Sequence, residues 1–267
     1  MPHLIKKIVN TFERSGSVKS TDLLFRSRPI TLRMLQQLWL CEQSEAKIGS
    51  LRTNFLTDDH WPPRTSFHRM RVFIATQVVS ATVIRLFDTY ADKCGGVDKY
   101  EPIRALVEKI DRLVDICNNT RVNSCGVVKG CEVIDSPHHF HLKELISILE
   151  IFAEWKSEAK TKANFIPWQS YEDLILLVAA NIGIATIYLK EDKSRSMVQR
   201  RGGSDDCEHE FGGIRERNAK PTALDVQQGI ARRTGTTTAA FNTLSKANTS
   251  GDKYIYTNET TTELKRK

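Results

Sequence analysis

The stretch Phe67-His-Arg-Met-Arg-Val-Phe-Ile-Ala-Thr-Gln-Val-Val-Ser-Ala-Thr-Val-Ile-Arg-Leu-Phe87 decides the fold class of this chain. Met70, Ile74, Val78, Ala81 and Arg85 trace one side of a helix, and Phe73, Gln77 and Ser80 populate the side next to it. The pattern predicts a long, largely buried helix over residues 67–90. Gln77 is expected to be a buried, hydrogen-bonded glutamine in it.

Helical spacing continues on both sides. Leu32, Leu35, Leu38 and Trp39 share a stripe in residues 30–44, with Thr31 available as a cap. Asp58, Asp59, Trp61, Pro62 and Pro63 follow in a loop, where the paired acids read as turn formers rather than metal ligands. Gly95-Gly96 interrupts the pattern. Ile103, Leu106, Val107, Ile110, Leu113 and Val114 then resume it over residues 100–118. Ser136-Pro137 predicts the start of a helix whose apolar face is Leu142, Leu145, Ile146, Leu149, Phe152 and Trp155. Ser170 and Asp173 form a capping-box variant that opens a last apolar helix over residues 171–189. Toward the N-terminus, Leu4, Ile5, Ile8, Val9 and Phe12 make a basic amphipathic helix of residues 1–14. The middle of the chain is therefore a helical bundle. From Thr234 onward the sequence is rich in Thr, Ser and Asn and is expected to be disordered.

A chain of 267 residues with 40% hydrophobic content can build a sizeable core. Its net charge of +7 and pI near 9.1 favour a polyanionic partner, nucleic acid first. No apolar run approaches the roughly 20 residues needed to span a bilayer, and no signal peptide opens the chain, so an intracellular protein with no membrane partner is expected. The six cysteines include no Cys-x-x-Cys pair. Cys125 and Cys131 lie near His138, His139 and His141 and raise a zinc possibility, but their spacing is not that of a usual finger.

The densest chemistry lies in Ser204-Asp-Asp-Cys-Glu-His-Glu-Phe-Gly-Gly-Ile-Arg-Glu-Arg-Asn-Ala-Lys-Pro-Thr222. Ser204 or Asp205 can cap a helix start, and the acids after it suit the positive end of the dipole. Glu208, Phe211 and Arg215 then fall along one face. Read by periodicity alone, the segment is equally a solvated acidic turn followed by arginines.

This segment resembles the C-terminal catalytic motif of the P element and THAP-domain transposases, with Asp205, Glu208, Phe211, Gly212, Ile214, Arg215, Arg217, Pro221 and Thr222 in register. Glu210 stands where that family usually has a second Phe. Two earlier segments resemble the same family in the same order. His3, Leu4, Lys6 and Asn10 match a segment that follows the family's second catalytic Asp, and Met70, Val72, Ala75, Gln77, Val78 and Ser80 match a helix of its inserted domain. The resemblance implies a mainly α chain, a helical insertion bundle flanked by remnants of an RNase H-like α/β fold. It divides the sequence into residues 1–19 as the start of the RNase H-like segment, 20–190 as the helical insertion, 191–233 as the RNase H-like catalytic segment, and 234–267 as the tail.

The function implied is that of a cut-and-paste DNA transposase, working in the nucleus and homo-oligomeric in the intact family. In that family two divalent ions drive in-line phosphoryl transfer. Glu208 is implied as the third catalytic carboxylate and, with Asp205, as a Mg²⁺ ligand. Lys6, Arg215 and Arg217 are implied as contacts to DNA phosphates. GTP is a further cofactor by analogy with the family's insertion, although the chain carries no phosphate-binding Gly-x-x-x-x-Gly-Lys loop. The family's first Asp is missing, and its second would fall one residue before Met1, so a truncated or remnant transposase without catalysis is the expectation. The alternative is a non-enzymatic helical module that binds DNA or protein.

Overall fold

Leu4, Ile5, Ile8, Val9 and Phe12 are all buried, so helix α1 (Pro2–Arg14) turns the face read from its sequence into the core. Each such side chain contributes roughly 1.5 to 3 kcal/mol when removed from water. The computed structural model describes residues 1–16, 22–46, 56–118, 133–191, 196–199 and 222. Contacts divide the chain into two units, Met1–Gly203 and Ser204–Lys267, and every element below belongs to the first.

After α1 come two short antiparallel strands, β1 (Leu24–Phe25) and β2 (Arg28–Pro29), joined by a two-residue turn. Arg26 and Ser27 hold φ of 49° and 58° there, the left-handed region a tight hairpin turn requires. Arg26 is held by carboxylates: its N–H donates to Glu158 at 2.6 Å and its Nε to Glu154 at 2.8 Å. Helix α2 (Leu32–Ala46) begins as predicted, with the Met34 N–H donating to Thr31 Oγ1 at 3.3 Å.

The long helix expected over residues 67–90 is not continuous. It is three helices, α3 (Ser66–Met70), α4 (Val72–Val78) and α5 (Ala81–Tyr90). Arg71 is extended, with φ −80° and ψ 117°, and Val79 and Ser80 depart from helical angles at the second break. At the first break the Met70 carbonyl accepts from Lys6 Nζ at 3.2 Å and so leaves the helical ladder. At the second, two adjacent β-branched valines meet Ser80, whose hydroxyl donates to the Gln77 carbonyl at 2.8 Å. The expected burial fails at the front of the segment. Phe67, Met70 and Phe73 are 58%, 69% and 52% exposed.

Gly95 and Gly96 adopt φ of 119° and 96°, and Gly96 caps α6 (Val97–Cys117). Helix α7 (Phe140–Glu158) starts later than Ser136-Pro137 suggests. That pair forms a turn in which the His139 N–H donates to the Ser136 carbonyl at 3.1 Å, and His139 becomes the cap. Helix α8 (Trp168–Glu191) starts earlier than Ser170, which is buried inside its first turn with its N–H on the Pro167 carbonyl. The described chain is mainly α, and α1 shares one core with the helices that follow it. Trp155 anchors that core. Its ring meets Phe12, Phe25, Phe152 and Phe165, and its Nε1–H donates to the Leu24 carbonyl at 2.8 Å. The expected RNase H-like segment of residues 191–233 lies almost wholly outside the described residues, and the tail entirely so.

Two helical stretches, Val72–Tyr90 and Trp168–Glu191, are long and apolar enough to cross a membrane by length and composition. The expectation that no apolar run approaches that length therefore does not hold for these two stretches. The first stretch is broken between α4 and α5, and α8 packs on α1 and α7 while leaving Leu176, Ile184 and Ile187 exposed.

Candidate nucleic-acid interface

Lys6, Arg64, Arg69 and Arg71 gather where α1 meets α3. Glu13 organises two of them. Its carboxylate accepts from Arg64 Nη2 at 2.7 Å and Nε at 3.1 Å, and from Arg69 Nη2 at 2.9 Å and Nε at 3.0 Å. The Glu13 and Arg64 side chains are 5% and 1% exposed, while Arg69 is 47% exposed. Arg64 Nη2 also donates to Asn10 Oδ1 at 2.8 Å. Burial pushes the Glu13 carboxyl up, but hydrogen bonds from Arg69 and Arg64, with their charges, together hold it below its ordinary value. Glu13 in turn raises the Arg69 pKa.

One carboxylate therefore holds two guanidiniums, and one of these reaches the surface. Arg71 lies beside it and makes no ion pair among the described residues; its guanidinium sits 4.0 Å from the Phe67 ring centroid and 5.5 Å from that of Phe73. The outward chemistry of this junction is cationic and aromatic. One turn along α4 from Phe73, buried His60 joins Nε2 to Gln77 Oε1 at 2.9 Å. Gln77 is thus hydrogen-bonded as expected, although its side chain is exposed rather than buried. Asp58 and Asp59 sit in a 3-10 turn capped by Thr57, in keeping with the reading of them as turn formers.

Of the residues singled out in the sequence, Lys6 is 9% exposed and directs its ammonium at the Met70 carbonyl, tying α1 to the end of α3. Asp205, Glu208, Arg215 and Arg217 lie outside the described residues, as do Cys125 and Cys131. His139 accepts from the His141 N–H at 3.2 Å. Among the described residues no three His, Cys, Asp or Glu side chains converge on a metal position. A shallow cleft of about 370 Å³ between α1 and α8 is lined by Met1, His3, Leu4, Asp173, Leu176 and Leu177. Cys41, Cys94 and Cys117 carry free thiols, and burial pushes that of Cys117 up to about 11.

The arginines of the junction escaped the motif reading because Glu13 is 51 residues from Arg64. The signal available was Arg64, Arg69 and Arg71 interleaved with Phe67 and Phe73. That is a basic, aromatic pattern hidden inside what reads as a core helix.

No protein-family model matches the chain, and no curated protein matches it. A solved structure, that of the Drosophila P element transposase strand transfer complex, superposes on 85% of this chain with a TM-score of 0.66 at 18% identity. The chain has a transposase-like fold. It spans 49% of the length of the transposase chain it matches. The fold of most of this chain is therefore one that a P element transposase also adopts.

Proposed function

We propose that this chain is a DNA-binding module derived from a P element-like cut-and-paste transposase. The observation that carries the reading is the shared fold over most of the chain, combined with cations gathered at the α1–α3 junction of a protein whose net charge is +7. Arg69 and Arg71 contact phosphates from the described bundle, and Arg215 and Arg217 do so from the segment that resembles the catalytic motif. In the same reading Asp205 and Glu208 are the carboxylates available to Mg²⁺, the family is of the P element and THAP type, and the site of action is the nucleus. A homo-oligomer and a bound guanine nucleotide enter through the family resemblance. Strand cleavage is assigned to the intact family and not to this chain.

The test is fluorescence anisotropy of the full chain with labelled duplex DNA across a salt series. Four phosphate contacts give a slope of log K against log salt of about −3 to −4, with a Kd of about 10⁻⁴ to 10⁻⁶ M at physiological salt. Incubation of the same DNA with Mg²⁺ or Mn²⁺ is expected to yield no cleaved or joined product. Absence of duplex binding even at low salt overturns the reading. It would favour the second one, a protein-binding helical module that uses the exposed Leu176, Ile184 and Ile187 of α8 and whose affinity does not fall with salt.

A further inference from the structure

Helices α3 and α4 carry three large apolar side chains in the open. Phe67, Met70 and Phe73 are 58%, 69% and 52% exposed, although their spacing reads as part of a buried helix. The Arg71 guanidinium lies over the Phe67 ring, 4.0 Å from its centroid, and 5.5 Å from the centroid of Phe73. From this geometry we infer that Phe67, Arg71 and Phe73 form a stacking platform for unpaired bases of single-stranded DNA. The inference rests on the DNA-binding reading above and gives it a site and a preferred substrate form.

Three features support that occupant over others. The platform is built in advance. Lys6 holds the Met70 carbonyl at 3.2 Å, Glu13 holds Arg69 through two hydrogen bonds, and Thr65 accepts from the His68 N–H at 3.2 Å. The backbone that presents the rings is thus pinned to α1, and little ordering remains to be done on binding. Arg71 is the second feature. A purely apolar protein surface laid on the rings would bury its guanidinium without a counter-charge, an unfavourable arrangement. A nucleic acid supplies a phosphate for the guanidinium and a π-face for the rings together. The third concerns pairing. In a duplex the base faces are already stacked on their neighbours, so rings of this kind engage bases that are unpaired or flipped out.

The full chain is titrated, by anisotropy, into a labelled oligothymidylate of about 15 nucleotides, an abasic strand of equal length and charge, and a hairpin duplex. The variants are Phe67→Ala with Phe73→Ala, and separately Arg71→Ala. Their sites are exposed, and retained helicity and melting temperature confirm that the variants fold. The double Phe variant is expected to weaken oligothymidylate binding by about 10- to 100-fold, with an unchanged salt slope and unchanged affinity for the abasic strand and the duplex. Arg71→Ala is expected to reduce the magnitude of the single-strand salt slope by about 0.7. If the wild-type chain binds all three DNAs but the double Phe variant leaves oligothymidylate affinity within twofold, the platform is refuted while DNA binding stands. If no DNA binds at low salt, the DNA-binding reading falls and the platform falls with it.

Discussion

Replacing Glu13 by Gln probes the junction that fixes α3 against α1. The substitution keeps the shape and an acceptor oxygen but removes the charge that neutralises Arg64, whose side chain is 1% exposed. Arg64 would keep the Asn10 Oδ1 contact at 2.8 Å and lose its counter-ion. Breaking one side of a buried ion pair costs about 3 to 5 kcal/mol, because the remaining charge stays desolvated. The retained acceptor places Glu13→Gln at the lower end, about 3 kcal/mol. At roughly 2 to 4 °C per kcal/mol for a unit of this size, the melting temperature should fall by about 6 to 12 °C. Urea unfolding followed by circular dichroism at 222 nm measures the loss directly.

Two controls separate the ion pair from simple packing. Glu13→Leu combined with Arg64→Met should recover most of the loss, because apolar replacement of both partners removes the uncompensated charge. The double-mutant cycle should give an interaction energy of at least about 2 kcal/mol. The pH dependence has a fixed sign. The Glu13 pKa is depressed in the folded protein, so its stabilisation is present above the ordinary value of 4.5 and is lost as pH falls through the folded value below it. The gap between wild type and Glu13→Gln should therefore narrow in acid. A Gln variant within about 0.5 kcal/mol of wild type at pH 7, or a gap that stays the same into strong acid, would refute the reasoning.

Two further outcomes follow from particular residues. Burial, reinforced by the charge of Asp115, raises the Asp111 carboxyl from 3.8 to about 6, while a backbone hydrogen bond from Ala81 opposes the rise. The associated stability is present below pH 3.8 and is lost as pH rises through about 6. Asp111→Asn should remove that loss, gaining about 1 to 2 kcal/mol at pH 7 once screening by solvent is allowed for, as read by paired denaturant curves at pH 4 and 7. Ser27 at φ 58° occupies a conformation that favours glycine. Ser27→Gly should accordingly raise stability by about 0.5 to 1 kcal/mol, and a lower melting temperature would contradict the turn geometry.

The candidate interface was only partly legible in the sequence. Lys6 was visible as a basic residue on an amphipathic helix, but its neighbours sit 64 residues away and use its ammonium as an internal tie. Arg69 and Arg71 fall inside a stretch that reads as a buried helix, and nothing local in it reveals that Glu13 draws Arg69 to α1. The capping residues show the same limit. Thr31 caps where it was expected to, since its partner is three residues on. Ser170 does not, because Pro167 lets the helix begin earlier and the packing of α8 buries the serine.

The sequence by itself determined the mainly α class and the buried faces of α1, α2 and α6, whereas on α7 Leu142, Leu145, Phe152 and Trp155 are buried as expected but Ile146 is exposed and Ile148 and Ile151 take its place in the core. Those faces follow from a 3.6-residue period, which any helix imposes on residues close in the chain. Tertiary structure alone decided where the longest apolar run breaks, which arginines are neutralised, and that Phe67 and Phe73 face outward. The first break and the neutralisation of Arg64 and Arg69 are settled by a hydrogen bond and ion pairs to α1, and the pairing of distant polar groups leaves no periodic trace in the chain.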